Sequence, residues 1–134
     1  MSHKNKGRYG KETIKGQFVC LPFNFLDSLA YKYLSNAAVC AFIQIKRRFN
    51  GANNGDIAVS CRQIAATCKM SRTTAARALV ELQEKGIIRK TFQGMFGMRI
   101  ASKWKLNTDK NVGENRPSNE WKEWRPGLNF TGSV

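Results

Sequence analysis

Arg72, Thr73, Ala76 and Arg77 carry the residue types and spacing most capable of chemistry in this chain. Arg72 with Ala76, and Thr73 with Arg77, are i, i+4 pairs, so on one helix the four share a polar, basic and uncluttered face. An arginine can donate two parallel hydrogen bonds to guanine O6 and N7. A threonine hydroxyl can bond a base edge or a phosphate, and a small alanine can touch a thymine methyl. Ser71 precedes the helix and caps it, Thr74 sits in its first turn, and the amides at such a helix start can hold a phosphate. A helix of this kind fits a duplex major groove and offers its N-terminal residues to base edges.

Other chemistries are poorly supplied. The chain has one histidine, His3, and nine Asp and Glu residues. Cys20, Cys40, Cys61 and Cys68 form no C-x-x-C pair, whereas a structural zinc site usually shows two closely spaced pairs. No metal and no cofactor is expected, and the thiols read as reduced and packed. Cys61 falls at a helix start, which lowers a thiol pKa, but no partner base is apparent, so no enzymatic role is expected.

The charge points the same way. Among 134 residues, 23 Lys and Arg face 9 acids, a formal net charge of +14 and a pI near 10.1. Residues 17–100 alone hold twelve basic and four acidic residues. A compact body so unbalanced repels itself unless an anionic partner is present, with nucleic acid first and a membrane surface second. No apolar run approaches the roughly 18–20 residues that span a bilayer. The basic N-terminus is followed by no apolar signal core, so a cytoplasmic, nucleoid-associated chain without membrane contact is expected.

The elements that must position the basic face are legible from caps and periodicity. Residues 1–16 read as a flexible basic arm, 17–107 as the folded domain, and 108–134 as a largely disordered tail bearing Trp121, Trp124, Leu128 and Phe130. Within the domain, Asn24 is placed as the cap of a short helix to about Ala30, and Ser35 as the cap of a longer one to about Phe49. Lys46-Arg47-Arg48 closes the longer helix, either as a charged last turn or as a phosphate contact. The dense turn Asn50 to Asp56 leads to a short strand, Ile57-Ala58-Val59. Ser60 caps a helix over Cys61 to Cys68, Ser71 one over Arg72 to Lys85, and Gly86 stops it. Ile87 to Gln93 and Met98 to Leu106 read as a hairpin around Gly94-Met95-Phe96-Gly97, with Met95 and Phe96 expected to pack back on the domain. The fold class is mostly α with a small β-hairpin, an α+β arrangement.

Two helices crossing at about 90–120° need a turn of 3–4 residues and a small residue at the crossing. Lys69-Met70-Ser71 supplies the turn and Ala65 the small residue. Ile64, Cys68 and Met70 would fill the angle from one side, and Ala75, Ala78, Leu79 and Leu82 from the other.

This stretch resembles a winged helix-turn-helix. Met70 to Leu79, then Glu81-Leu82 and Glu84-Lys85-Gly86-Ile87-Ile88, is similar to the recognition helix and following strand of gluconate-repressor (GntR) type regulators. Phe25-Leu26-Asp27-Ser28, the helix from Ser35, the Asn53-Asn54-Gly55 turn and Ala101 to Leu106 look like small phage- and plasmid-encoded winged-helix proteins. Phage replication protein O has N-terminal domains similar in order of elements. The chain departs from the pattern at Lys69, where such families usually carry Gly, and no effector-binding domain is expected after the hairpin, so a ligand-sensing role is not implied.

The resemblance implies a sequence-specific double-stranded DNA binder acting in transcription regulation. Two alternatives stay open: a replication-initiation or origin-binding factor of a phage or plasmid, and a winged-helix protein-interaction module. The hairpin would be the wing, with Arg89, Lys90, Arg99 and Lys103 near the backbone or minor groove, while Ser60 and Arg62 flank the recognition helix. A homodimer, and a protein partner anchored by Trp121 and Trp124, remain open as well.

Overall fold

The computed structural model describes residues 16–95, 100–110, 114 and 116–131, and the structural statements here concern those residues. Five helices and a three-stranded antiparallel sheet make a mixed α+β fold. In chain order these are α1 (Phe23–Leu26), α2 (Leu29–Lys32), α3 (Asn36–Arg48), β1 (Ile57–Ala58), α4 (Cys61–Cys68), α5 (Arg72–Glu84), β2 (Ile88–Phe92) and β3 (Lys103–Leu106). A 3₁₀ turn, Glu120–Glu123, follows. The first 15 residues of the expected arm lie outside the described residues.

Four serines start the helices. The hydroxyls of Ser28, Ser35, Ser60 and Ser71 accept the backbone N–H of Tyr31, Ala38, Gln63 and Thr74. Ser60 adds a full capping box, since its own N–H donates to Gln63 Oε1 at 2.9 Å. The single helix expected from Asn24 to Ala30 is instead two short helices. The first begins at Phe23, behind Pro22, with no side-chain cap. Ser28 divides them: its hydroxyl donates to the Phe25 carbonyl at 2.6 Å and accepts from Tyr31 N–H, so it ends one helix and begins the next.

The core lies where α3, α4 and α5 meet beneath the sheet. Ala38, Ala41, Phe42 and Ile45 of α3 are buried, as are Ile64 and Ala65 of α4 and Ala75, Ala78, Leu79 and Leu82 of α5. The alanines let the helix backbones approach closely, and the larger residues fill the angles between them. The turn between α4 and α5 keeps its left-handed step without a glycine. Lys69 adopts φ 57°, ψ 51°, which costs roughly 1 kcal/mol for a residue bearing a Cβ. Met70 N–H donates to the Ala65 carbonyl at 3.0 Å and closes the turn, while the Met70 side chain packs on the core.

Glu81 couples α5 to the start of α3. Its carboxylate accepts the Ser35 N–H at 2.7 Å and the Ser35 hydroxyl at 2.8 Å. Glu81→Ala should therefore cost about 1–2 kcal/mol, since it deletes two charge-assisted bonds at a partly wet helix start. Urea unfolding reads this loss, and an unchanged midpoint would show that the two bonds contribute nothing net.

In the sheet, β3 lies between β1 and β2. Ile57 pairs with Trp104, and Ile88, Arg89 and Lys90 pair with Leu106, Lys105 and Trp104. β3 alternates, with Trp104 and Leu106 buried and Lys103 and Lys105 half-buried. Trp104 Nε1 donates to the Val59 carbonyl at 3.0 Å and ties the sheet to the segment entering α4. Asn54 explains the turn before β1. Its Nδ2 donates to the carbonyls of Leu106 and Asp109, and its Oδ1 accepts from Leu106 N–H.

The largest departure from the expected organisation is at the C-terminal end. A largely disordered tail is the composition-based expectation for 108–134, but residues 116–131 pack onto the domain. Trp121 and Trp124 are only 4% and 7% exposed. Trp121 meets Phe25 edge-on with ring centroids 5.1 Å apart, and Trp124 lies against Tyr33. Asn107, fully buried, donates to the Gly86 carbonyl at 2.8 Å and accepts Asn119 N–H at 2.9 Å through its own carbonyl. Phe130 N–H donates to the Glu84 carbonyl at 2.8 Å. Gly86 has φ +73°, and a Cβ there would stand 2.7 Å from the Phe130 ring. Polar composition argues for disorder only while the few apolar groups find nothing to cover. Here four large side chains share one open flank of the core. The indoles therefore serve the chain's own packing.

Candidate functional site

The face of α5 that turns away from the core carries Arg72, Thr73, Ala76 and Arg77, all exposed. Val80, 47% exposed, extends it by one turn and was not singled out from sequence. At 100° per residue Ala76 and Val80 fall between the two arginines, so a small apolar strip is flanked by guanidinium groups. Packing fixes this orientation, because Ala75, Ala78, Leu79 and Leu82 on the opposite side are buried.

The electrostatics of the face are one-sided. Residues 57–80 contain Arg62, Lys69, Arg72 and Arg77 and no carboxylate. None of these four cations makes an ion pair or a side-chain hydrogen bond with a described residue. Glu81, an i, i+4 neighbour of Arg77, would neutralise it on an isolated helix. Its two oxygens are held instead by Ser35, and Lys85 Nζ lies 3.7 Å away. Four other cations are paired: Lys46 with Asp109, Lys85 with Glu81, Arg89 with Glu120 and Lys103 with Asp56. The four cations of α4, the turn and α5, with no carboxylate among residues 57–80, make a face that attracts an anion.

An open groove of about 760 Å³ runs from this face to the hairpin. Arg62, Gln63 and Arg72 form its basic and polar side, while Met95, Ile100 and Ser102 form the opposite one. Met95 is 49% exposed and pairs with Ile100 across the hairpin, so it does not pack back as expected. The backbone of the returning chain fills the space where a side chain would stand on Gly94. Phe96 and Arg99, expected at the tip and in the site, lie outside the described residues.

The remaining expected residues divide into those that are available and those that are occupied. Ser60 lines the groove, but its hydroxyl is engaged with Gln63. Ser71 and Thr74 bond each other at 2.9 Å at the start of α5. Arg89 and Lys90 are neighbours on β2 and so project to opposite faces. Lys90, over the Trp104 ring, donates to Gln93 Oε1 at 2.9 Å and keeps its charge unpaired. Arg89 is bonded to Glu120 at 3.2 Å, and Lys103 to Asp56 at 2.9 Å, so both arrive with much of their charge compensated. Of Lys46-Arg47-Arg48, Lys46 is buried and bound to Asp109, which removes it as a phosphate contact. Lys69 belongs with the basic face although sequence marked it only as a departure in the turn; its exposure follows from the left-handed step.

Among the described residues, no three His, Cys, Asp or Glu side chains cluster as metal ligands, and no helix is long and apolar enough to cross a membrane. Burial, and then the neighbouring Cys40 thiol, push the Cys68 pKa up, away from the thiolate that a nucleophile needs. Comparison with protein-family models, curated proteins and solved structures returns no match for this chain.

Proposed function

We propose that the chain is a sequence-specific double-stranded DNA-binding protein of winged helix-turn-helix type, acting as a small transcriptional regulator. The order α3, β1, α4, α5, β2, β3, with a three-residue turn between α4 and α5 and a β1-β3-β2 sheet, supports the winged-helix reading. In this reading α5 enters the major groove. Arg72 and Arg77 donate to guanine edges, Ala76 and Val80 lie against thymine methyls, and Thr73 bonds a base or a phosphate. Arg62 and Lys69 meet the flanking phosphates, and the hairpin with Lys90 follows the backbone on the side of the groove lined by Met95 and Ile100.

The observation that carries the proposal is the α5 face itself: two guanidinium groups held outward by a packed helix, with no carboxylate between residues 57 and 80. Selection from random duplexes, followed by fluorescence anisotropy on the selected and a scrambled sequence, tests it. A preferred duplex bound at least a hundredfold more tightly than the scrambled one is the expected result, within the usual range of specificity ratios. Failure to enrich any sequence would overturn the reading.

The phosphate contacts carry their own expectation. Lys90→Ala should weaken binding to all sequences alike and reduce the slope of log K against log salt by about 0.9. Arg89→Ala should change that slope by less than about half as much, because Glu120 already compensates Arg89. Equal changes for the two variants would contradict this division.

A further inference from the structure

We infer that Cys40 and Cys68 are a redox pair, which peroxide joins in a disulfide that ties α3 to the end of α4. Cys40 lies in the first half of α3 and is exposed. Cys68 is the last residue of α4, half-buried and packed against the core. The two helices pack on each other, and across that contact the two thiols meet as hydrogen-bonding neighbours. Ala41, beside Cys40, and Ala65, one turn before Cys68, are buried. Small residues at a helix contact let the backbones approach as closely as a disulfide requires. Cys61 starts the same helix as Cys68, but the intervening turns put it roughly 10 Å away, beyond the reach of a disulfide. Among the described residues no third Cys, His, Asp or Glu joins the pair, so it suits two-electron oxidation better than a closed metal site.

The difference in exposure orders the chemistry. Cys40 meets a dissolved oxidant first. Its sulfur, as the thiolate, attacks one oxygen of hydrogen peroxide. The O–O bond breaks, Cys40 becomes a sulfenic acid, and the departing hydroxide takes up the thiol proton as one water. Cys68, which burial holds as the thiol, is spared this first step. Its sulfur then attacks the Cys40 sulfur. The S–O bond breaks, and the hydroxide leaves with the Cys68 proton as a second water. Two thiols and one peroxide thus give one disulfide and two waters. The new bond lies one residue before Lys69, whose left-handed step starts the turn into α5, and so pins the base of that turn to α3. It also closes the chain from 40 to 68 into a loop, which restricts the unfolded state. None of this requires a DNA contact, so the inference stands apart from the proposed function.

Oxidation of the full, folded chain with hydrogen peroxide, followed by alkylation of the remaining thiols, tryptic digestion and mass spectrometry, tests this. The four cysteines fall on four different tryptic peptides, residues 16–32, 33–46, 49–62 and 63–69, so each pairing has its own mass. The dominant product should be peptide 33–46 joined to 63–69, lighter by two hydrogens than the two reduced peptides together, with Cys20 and Cys61 alkylated. Cys40→Ser alters an exposed side chain and leaves the packing intact; it should abolish the link. The double variant Cys20→Ser/Cys61→Ser should form it as the unmodified chain does. The oxidised double variant should melt at least about 5 °C higher than its reduced form, and dithiothreitol should reverse the gain. A mixture of pairings, or links between chains through Cys20, would overturn the inference. So would a Cys40 that stops at sulfenic or sulfinic acid beside a free Cys68, or an oxidised chain that melts no higher than the reduced one.

Discussion

Trp121→Ala is expected to destabilise the chain by about 3–5 kcal/mol, the range for emptying a buried aromatic site. The melting temperature should fall by about 10–20 °C. Trp121 is 4% exposed, meets Phe25 edge-on and covers the flank to which Phe42 also contributes. Its removal leaves a cavity that the surrounding helices fill only in part. It also loosens the 3₁₀ turn Glu120–Glu123, which carries the acid bonded to Arg89. Thermal and urea unfolding read the effect directly. A variant that melts with the unmodified chain would show that residues 116–131 are an appendage and that the core closes without them.

Arg72→Ala and Arg77→Ala should each weaken binding to the selected duplex by about 1–3 kcal/mol, the usual worth of one bidentate base contact. Stability should change by no more than about 0.5 kcal/mol, because both side chains are exposed and neither touches the core. The two losses should also be separable by position: each variant relaxes the preference at the base pair its arginine reads and leaves the others intact. On a scrambled duplex the losses should be smaller, since only the general attraction of one charge is removed. Equal losses on selected and scrambled DNA would reduce both arginines to phosphate contacts and remove base reading from α5.

What was legible in the sequence was local. Ser35, Ser60 and Ser71 announce helix starts because each places a hydroxyl at the cap and a periodic apolar stripe just after it, and the structure begins α3, α4 and α5 there. The α4–α5 turn and the buried set Ile64, Ala65, Ala75, Ala78, Leu79 and Leu82 follow from the same spacing. The left-handed Lys69 shows that a missing glycine shifts the cost of a turn without abolishing it.

What escaped the sequence depends on distant partners. Glu120 reaches back to Arg89, Asp109 to Lys46 and Asp56 to Lys103, and nothing in local spacing marks these pairs. The expected basic surface was therefore wider than the uncompensated one. The helix break at Ser28 hangs on one hydroxyl that donates to the Phe25 carbonyl and accepts from the Tyr31 N–H, which periodicity does not mark. Composition predicts disorder for the C-terminal segment because its aromatics are too sparse to form a core alone, yet they suffice to complete one already built.

The most direct measurement is a ¹H–¹⁵N map of the full chain titrated with its selected duplex. Amide shifts confined to α5 from Arg72 to Val80, the start of α4 and the hairpin from Lys90 to Ser102 are the expected result. Shifts clustered instead on α1, α2 and the 3₁₀ turn, with α5 unmoved, would contradict a role for that helix in reading DNA.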